Sequence, residues 1–432
     1  MVKVLTQKNK RMKILFIPTW YPSEVNPLGA IFIKEHASAA SLYNDVVVLY
    51  AYPDPSPRLW KLYQISEGIE DGIRTIRVKY RYYEGIFTYF KKLIFKDGSV
   101  KQGASPSATD KLIGVLNNPI KIPRVVVRES LYYCSIFAAF RRLVKEGWKP
   151  DIIHAHIFTA AVPAVLLGKL YRIPVIVTEH YSFFPLRKLS FYERVKARFA
   201  MNRARMILPV SNALKEAIEA YGIRNEFQIV PNVVDTEMFY PLSQENKGGD
   251  RKKLLLVAGL TPVKGVPYLL QALAQVRQKR RDFILDIVGY GANRGEYEEL
   301  ARKLGLETVV YFHGLKPKEE VAEFMRTCDF LTLPSLYETF GAVVVEALAS
   351  GKPVVASDIG GIKEIINRDL GVLAPPGNIN RLQQAIEFML DHYVDYPPGK
   401  LSMYAKERFG YESGGKLLNS IYCKVKKQRR SI

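Results

Sequence analysis

At 432 residues, 48% hydrophobic and 24% charged, the chain is too long for one comfortable core and too apolar for wholesale disorder, so two domains of about 200 residues are expected. Cys134, Cys328 and Cys423 lie far apart without a CxxC pair, which argues against disulfides and a structural zinc site and fits a reducing compartment. The net charge of +21 is uneven, with 31 Lys and Arg against 15 Asp and Glu in residues 1–200. That imbalance points to an anionic partner (a membrane surface, a phosphate-bearing acceptor or nucleic acid) or to a charged face kept for solubility.

The chain opens on a basic stretch whose apolar run, Ile14–Ile17, is too short for a signal-peptide core. It reads as a first strand, Lys13–Ile17, and Met12 could serve as the start. Strand-length β-branched runs follow at Asp45–Leu49, Ile152–His154, Val175–Thr178 and Met206–Pro209. A second series runs through Lys253–Ala258, Ile284–Val288, Val309–Phe312, Phe330–Leu333 and Val354–Ser357. Short continuous apolar runs separated by helix-length segments predict parallel strands covered on both faces, a doubly wound α/β fold occurring twice.

Between the two series, Leu242–Lys253 is polar, Gly-containing and aperiodic, as a linker is. One domain is therefore expected at 12–241 and another at 252–395, followed by a helical segment, 396–432, with the basic tail KVKKQRR. Residues Pro53–Arg128 interrupt the first domain's rhythm. Within them Tyr83, Ile86, Phe87, Phe90 and Ile94 share a helical face, open to reading as core or as a membrane-surface helix. The most apolar stretches, Ala160–Leu167 and Gly341–Ala349, fall far short of the ~20 residues a bilayer needs. A cytoplasmic protein, or a peripheral one at the inner face of the membrane, is expected.

Residues 334–357, PSLYETFGAVVVEALASGKPVVAS, hold the strongest chemical signal. A strand ending at Leu333 leads through a loop with Glu338 into a helix carrying Glu346 about two turns along. Two carboxylates so spaced, roughly 10 Å or more apart, are too distant for most paired-acid hydrolysis. They suit two hydroxyl-bearing groups of one elongated ligand, while free amides at the helix start favour a diphosphate. By spacing alone, two solvated acids on an ordinary strand–loop–helix unit fit equally well.

Several motifs stand in order from Met12 onward: PTWYP with a following Gly, PDIIHAH, PVIVTEH, VSNALKEAI, IVPNVVDTEMFYP, TPVKG, VGYG, the Glu-x7-Glu block and GVLAPPGN. Together they resemble glycosyltransferase family 4, and the resemblance spans nearly the whole chain. It implies a GT-B architecture, two Rossmann-like domains facing a cleft with a C-terminal helix crossing back to the first. It also implies a retaining, metal-independent hexosyltransferase that uses a nucleotide-diphosphate sugar and no cofactor. By that resemblance Glu338 binds donor-sugar hydroxyls with the amides of Phe340, Gly341 and Ala342, and Glu346 holds the ribose. Lys264 neutralises the departing diphosphate, where a preplaced cation acts most strongly. Gly29 and Gly289 belong to the donor-binding set, and His180 approaches the donor sugar. One position departs from the family pattern: Gly259 stands where a second diphosphate-binding Arg is frequent, leaving Lys264 with backbone amides, or Arg294 or Lys363, to supply the charge.

His180 ends a parallel strand, where ligands collect in α/β sheets. His154 and His156 read as a buried, hydrogen-bonded pair lining the cleft. The stretch from Tyr181 to Ala200 alternates aromatic and basic residues, and Tyr181, Phe183, Arg187 and Lys188 are its acceptor-side candidates. An acceptor hydroxyl on a glycan or lipid-linked precursor of cell-surface polysaccharide or glycolipid fits this half, with an anionic membrane beside it; a solvated basic helix is the plainer alternative. Two other classes remain open: a nucleotide-sugar epimerase of the same architecture, and a non-catalytic basic binding protein. Nucleic acid is not an expected partner, because the charge is not arranged as a recognised nucleic-acid motif.

Overall fold

A computed structural model describes residues 11–24, 26, 29–54, 63–81, 106–242 and 251–428. The helical face predicted at Tyr83–Ile94 and most of the predicted linker lie outside the described residues.

Two sheets form the frame. The first has seven strands in the order β3-β4-β2-β1-β5-β6-β7, and the second six in the order β10-β9-β8-β11-β12-β13. In chain order the first sheet comprises β1 (Lys13–Pro18), β2 (Asp45–Asp54), β3 (Tyr63–Glu70), β4 (Ile73–Arg81), β5 (Ile152–His156), β6 (Val175–Glu179) and β7 (Met206–Pro209). The second comprises β8 (Lys252–Val257), β9 (Phe283–Val288), β10 (Val310–Gly314), β11 (Phe330–Leu333), β12 (Val354–Ser357) and β13 (Gly371–Ala374). All pairings are parallel except β3 with β4. The central strands β1, β5, β6, β11 and β12 are buried almost throughout, which is why they read as continuous apolar runs.

The region predicted to interrupt the first domain instead extends its sheet. Asp71 and Gly72, both left-handed at φ 47° and 77°, close a tight hairpin between β3 and β4. β3 lies at the sheet edge with most residues exposed, so no hydrophobic alternation marks it. Residues Pro106–Lys145 then form one long helix, half of it inside the segment taken for an interruption.

The final helix, Tyr411–Gln428, returns to the first sheet as the resemblance implied. Its Leu418, Ile421, Tyr422 and Val425 are buried with Ile33, Ala37 and Ala40 of helix Ile31–Ser41. Helix Pro398–Phe409 stays with the second sheet, against helix Ala342–Ala349. Other ties hold the two halves face to face. Ser211 Oγ donates to the Thr339 carbonyl at 2.7 Å, and the Glu364 carboxylate accepts from the Asn212 and Ala213 backbone N–H groups at 2.9 Å each. Glu35 of the first half pairs with Lys318 of the second. Parallel strands in both sheets thus end toward one cleft, the usual place for ligands in this class of sheet.

Candidate active site

The cleft holds a cavity of about 740 Å³. From the first half, Gly29, His180, Tyr181, Phe183 and Lys188 reach its wall; from the second, Lys264 and Glu338 do. Trp20, Phe32 and Tyr337 also line it, and sequence reasoning did not single them out. The PTWYP motif contains Trp20, so its signal was present without a role attached.

Lys264 ends a single 3-10 turn, Pro262–Lys264, directly after the β8 loop. The next residue, Gly265, has φ 69°, and a Cβ there would lie 2.0 Å from the Pro334 carbonyl oxygen. Only glycine lets this turn press against the loop after β11. The consequence is chemical: Lys264 Nζ donates to Glu338 Oε1 at 2.5 Å, and Ser335 Oγ donates to the same oxygen at 3.0 Å. One cation and one carboxylate, both only partly exposed, meet at the cavity wall.

Gly341, left-handed at φ 88°, is the N-cap of helix Ala342–Ala349. The N–H groups of Phe340, Gly341 and Ala342 meet no acceptor among the described residues, as expected at a helix start. The Phe340 side chain itself is core, edge-on to Phe409 with centroids 5.7 Å apart, so only its backbone can serve a ligand. Glu346 stands half-buried farther along, outside the wall of this cavity. Burial raises its carboxyl above the usual carboxylate range, and the Lys318 ammonium lowers it in part. Gly289 follows β9 at φ 143°, likewise outside the wall, as is Arg187.

The Gly259 position has open space: a Cβ there would meet nothing nearer than the Tyr290 oxygen at 4.0 Å. Arg294 is engaged by Glu298 at 2.7 Å on its own helix, and Lys363 is solvent-exposed. Lys264 is therefore the cation that the geometry puts beside Glu338.

On the first half, Glu179 carries the positioning. Its carboxylate accepts from the backbone N–H groups of Phe158, His180 and Tyr181 at 3.0, 2.9 and 2.9 Å, which sets the turn that aims His180 into the cleft. Burial pushes the Glu179 carboxyl up to about 7 against those three donors. His180 Nε2 lies 3.2 Å from His156 Nδ1, and its ring leans on Phe32 at 4.5 Å. Burial, and then the neighbouring imidazoles, hold His180 well below the ordinary histidine range, so it is a neutral hydrogen-bonding group.

His154 and His156 are buried and hydrogen-bonded as predicted, but they do not line the cleft. His154 bonds Tyr422 Oη at 2.8 Å and Thr178 Oγ1 at 2.6 Å, beneath the cavity floor. His36, unremarked in the sequence, packs edge-on to both His156 and His180. No group of three or more His, Cys, Asp or Glu placed to hold a metal occurs among the described residues.

Known proteins agree with this architecture. Residues 102–238 match the family described as Glycosyltransferase Family 4, and residues 242–408 match Glycosyl transferases group 1. The chain is 33% identical over 238 residues to an uncharacterized glycosyltransferase of Methanocaldococcus jannaschii, covering 55% of this chain and 64% of that protein. It is 30% identical over 263 residues to a glycogen synthase of Mycobacterium tuberculosis, covering 58% and 63%. The matches thus span somewhat under two thirds of these relatives' lengths. Among solved structures, the sucrose-phosphate synthase of Thermosynechococcus elongatus superposes with a TM-score of 0.70 at 20% identity, over 96% of this chain and 99% of that one. HepE of Anabaena, crystallised with UDP-glucose, superposes with a TM-score of 0.64 at 20% identity, over 96% and 100%. With two consecutive family matches covering both halves and two Rossmann-like sheets facing one cleft, this chain belongs to glycosyltransferase family 4 and has the GT-B fold.

Proposed function

We propose that this protein is a retaining glycosyltransferase that moves a sugar from a nucleotide-diphosphate sugar to an acceptor hydroxyl. The observation that carries the reading is the cavity in which Lys264 and Glu338 of one half oppose His180 and Gly29 of the other. A diphosphate complements Lys264 and the open amides at Phe340–Ala342, and a donor sugar's hydroxyls complement Glu338. Charge develops on the departing diphosphate in the transition state, where a fixed cation is worth most. Neutral His180 suits a hydrogen bond to the sugar better than a proton transfer. Retention follows from front-face attack, with the departing phosphate taking the acceptor proton. Glu346, with the Lys318 ammonium acting on it, is assigned to the ribose. HepE, which shares the fold, is solved in complex with UDP-glucose, and this supports a nucleotide sugar as the donor.

Thermal shifts against UDP-, GDP- and ADP-sugars, with and without EDTA, test the donor half. One nucleotide class is expected to stabilise the protein by about 2–4 kcal/mol at 100- to 1,000-fold its Kd, unchanged by EDTA. Glu338→Ala is expected to abolish transfer with the fold intact; near-normal turnover in that variant would sink the assignment.

For the acceptor, the favoured reading is a lipid-linked or cell-surface glycan precursor reached from an anionic membrane. Helix Phe191–Met201 turns an apolar edge outward beside the cleft: Phe191 is 76% exposed, and Tyr192 and Val195 are exposed with it. Arg187, Lys188 and Arg194 are exposed around that edge. Rings and cations together suit an anionic lipid surface. No helix among the described residues is long and apolar enough to cross a membrane. Sedimentation with phosphatidylglycerol vesicles should occur at low salt, weaken in high salt and weaken in Phe191→Ser/Arg194→Glu. Equal binding to phosphatidylcholine vesicles would count against this surface.

A further inference from the structure

A second cavity, of about 540 Å³, lies at the end of the second sheet opposite the cleft. Lys253 at the start of β8, Asp329 just before β11 and Lys352 just before β12 line it, whereas Lys264 and Glu338 follow the other ends of β8 and β11. The parallel register sets this convergence. Phe330 pairs with Leu254 and Leu331 with Val354, so the three strands start side by side, about 4.8 Å apart from one to the next. Arg251 enters the wall from the chain before β8, and Arg326 from the last turn of helix Lys318–Thr327.

The charged groups of this wall are Arg251, Lys253, Arg326 and Lys352 against the single acid Asp329. None of the four cations forms an ion pair among the described residues. Arg326 donates to the Met238 carbonyl at 3.1 Å and lies over the Tyr240 ring, and Arg251 donates to the Thr308 carbonyl at 3.4 Å. The ammonium groups of Lys253 and Lys352 meet no hydrogen-bond acceptor among the described residues. Asp329 accepts from the Lys253 backbone N–H at 2.7 Å, and burial raises its carboxyl above the usual carboxylate range. A general surplus does not explain the cluster, because residues 201–432 carry 32 Lys and Arg against 27 Asp and Glu. Helix carboxyl ends favour a cation at Arg326 and at Lys352 after helix Ala342–Ala349. They do not account for Arg251 and Lys253, which flank a strand.

The rest of the wall includes Pro241, Val394, Tyr396 and Pro398, an apolar side facing no charge of its own. A ligand that suits both sides has a compact, strong anion and a small uncharged body. A carboxylate brings one charge to four cations, and an inorganic anion leaves the apolar side to water. A phosphomonoester brings about two charges with three acceptor oxygens, which Arg and Lys donors match, and carries a body as well. The volume lies in the range of small-molecule sites, about 300–1,000 Å³. We propose that this cavity binds a soluble phosphomonoester, of a sugar or a nucleoside, at a site separate from the donor cleft. The binding does not rest on the transferase reading above.

Isothermal titration of the full chain, in about 150 mM salt so that loose surface attraction is screened, tests it. The probes are glucose 6-phosphate, glucose 1-phosphate, glycerol 3-phosphate and AMP, with glucose, adenosine and inorganic phosphate as controls. At least one phosphomonoester is expected to bind with a Kd on the order of 0.1–1 mM. It should bind about tenfold or more tighter than inorganic phosphate and than its unphosphorylated counterpart. Lys352→Gln and Arg251→Gln should each weaken that binding about tenfold with the urea midpoint unchanged. Lys264→Gln, which removes the cleft cation, should leave it at the wild-type value. The proposal is overturned if no phosphomonoester binds, if inorganic phosphate binds as tightly, or if Lys352→Gln and Arg251→Gln both bind like wild type. Loss of binding in Lys264→Gln would also overturn it, by putting the ligand in the donor cleft.

Discussion

Gly265 does for the cleft what no side chain could. Its missing Cβ lets the Lys264 turn approach the Pro334 carbonyl, and the Lys264–Glu338 pair depends on that approach. Gly265→Ala is therefore expected to destabilise the protein by about 1–3 kcal/mol through strain at positive φ and the backbone clash. It should also weaken nucleotide-sugar binding, because the turn must move away from Glu338. Urea denaturation and the donor thermal shift measure the two effects; a wild-type donor shift in a destabilised variant would separate the turn from the site. Lys264 and Glu338 stood out in the sequence because their neighbours form local motifs. Trp20, His36 and Glu179 did not. Trp20 and His36 act through partners distant in sequence, Tyr181 for the one and His156 and His180 for the other, and Glu179 joins its own turn to Phe158 of another element.

At the scale of elements, ten strands were legible because parallel strands buried on both faces must be continuously apolar. Strands β3, β4 and β13 were not; β3, an exposed edge strand, carries no such pattern. Its Asp71-Gly72 turn was the available signal, a dipeptide that favours tight hairpins. The VSNALKEAI motif turned out to join the halves: Ser211 caps its helix at Leu214 and also reaches Thr339 beside Glu338. The C-terminal helix adds one buried polar contact to its apolar packing, Tyr422 Oη to His154 Nδ1. Tyr422→Phe leaves that ring nitrogen without its partner and is expected to cost about 1–3 kcal/mol, read as a lower urea midpoint with an unchanged slope. An unchanged midpoint would mean that packing alone holds the helix.

For the whole molecule, the histidine cluster predicts how stability depends on pH. Burial holds His36 down to about 4 from its ordinary 6.5, and burial likewise depresses His154, His156 and His180. Below pH 6.5 the unfolded chain takes up protons that the folded chain refuses until about pH 4. The unfolded state binds more protons in that window, so stability falls as pH falls through it. His36 alone accounts for about 3 kcal/mol by pH 4, at about 1.4 kcal/mol per pKa unit. Glu179, raised from 4.5 to about 7, works the other way: its contribution is present at low pH and lost as pH rises through about 7. Glu346 and Asp329, raised by burial too, work in the same direction as Glu179; four depressed imidazoles outnumber these three carboxyls, and the protein is expected to be acid-labile. Urea midpoints should drop between pH 7 and pH 5, and His36→Phe should flatten the dependence; a pH-independent midpoint would contradict a neutral buried cluster.

What the sequence determined by itself was the fold class, the family and the local chemistry of the second half. Strand periodicity, the Glu-x7-Glu spacing and the Lys-Gly turn are properties of neighbours along the chain, written in runs of a few residues. What only the tertiary structure decided was which residues share a space. It set Lys264 against Glu338, moved His154 and His156 below the cleft floor, carried the last helix back to the first sheet, and gathered four cations around one cavity at the far end of the second. Such contacts join residues dozens to hundreds of positions apart. They are settled by how two sheets pack and face each other, which no local pattern encodes.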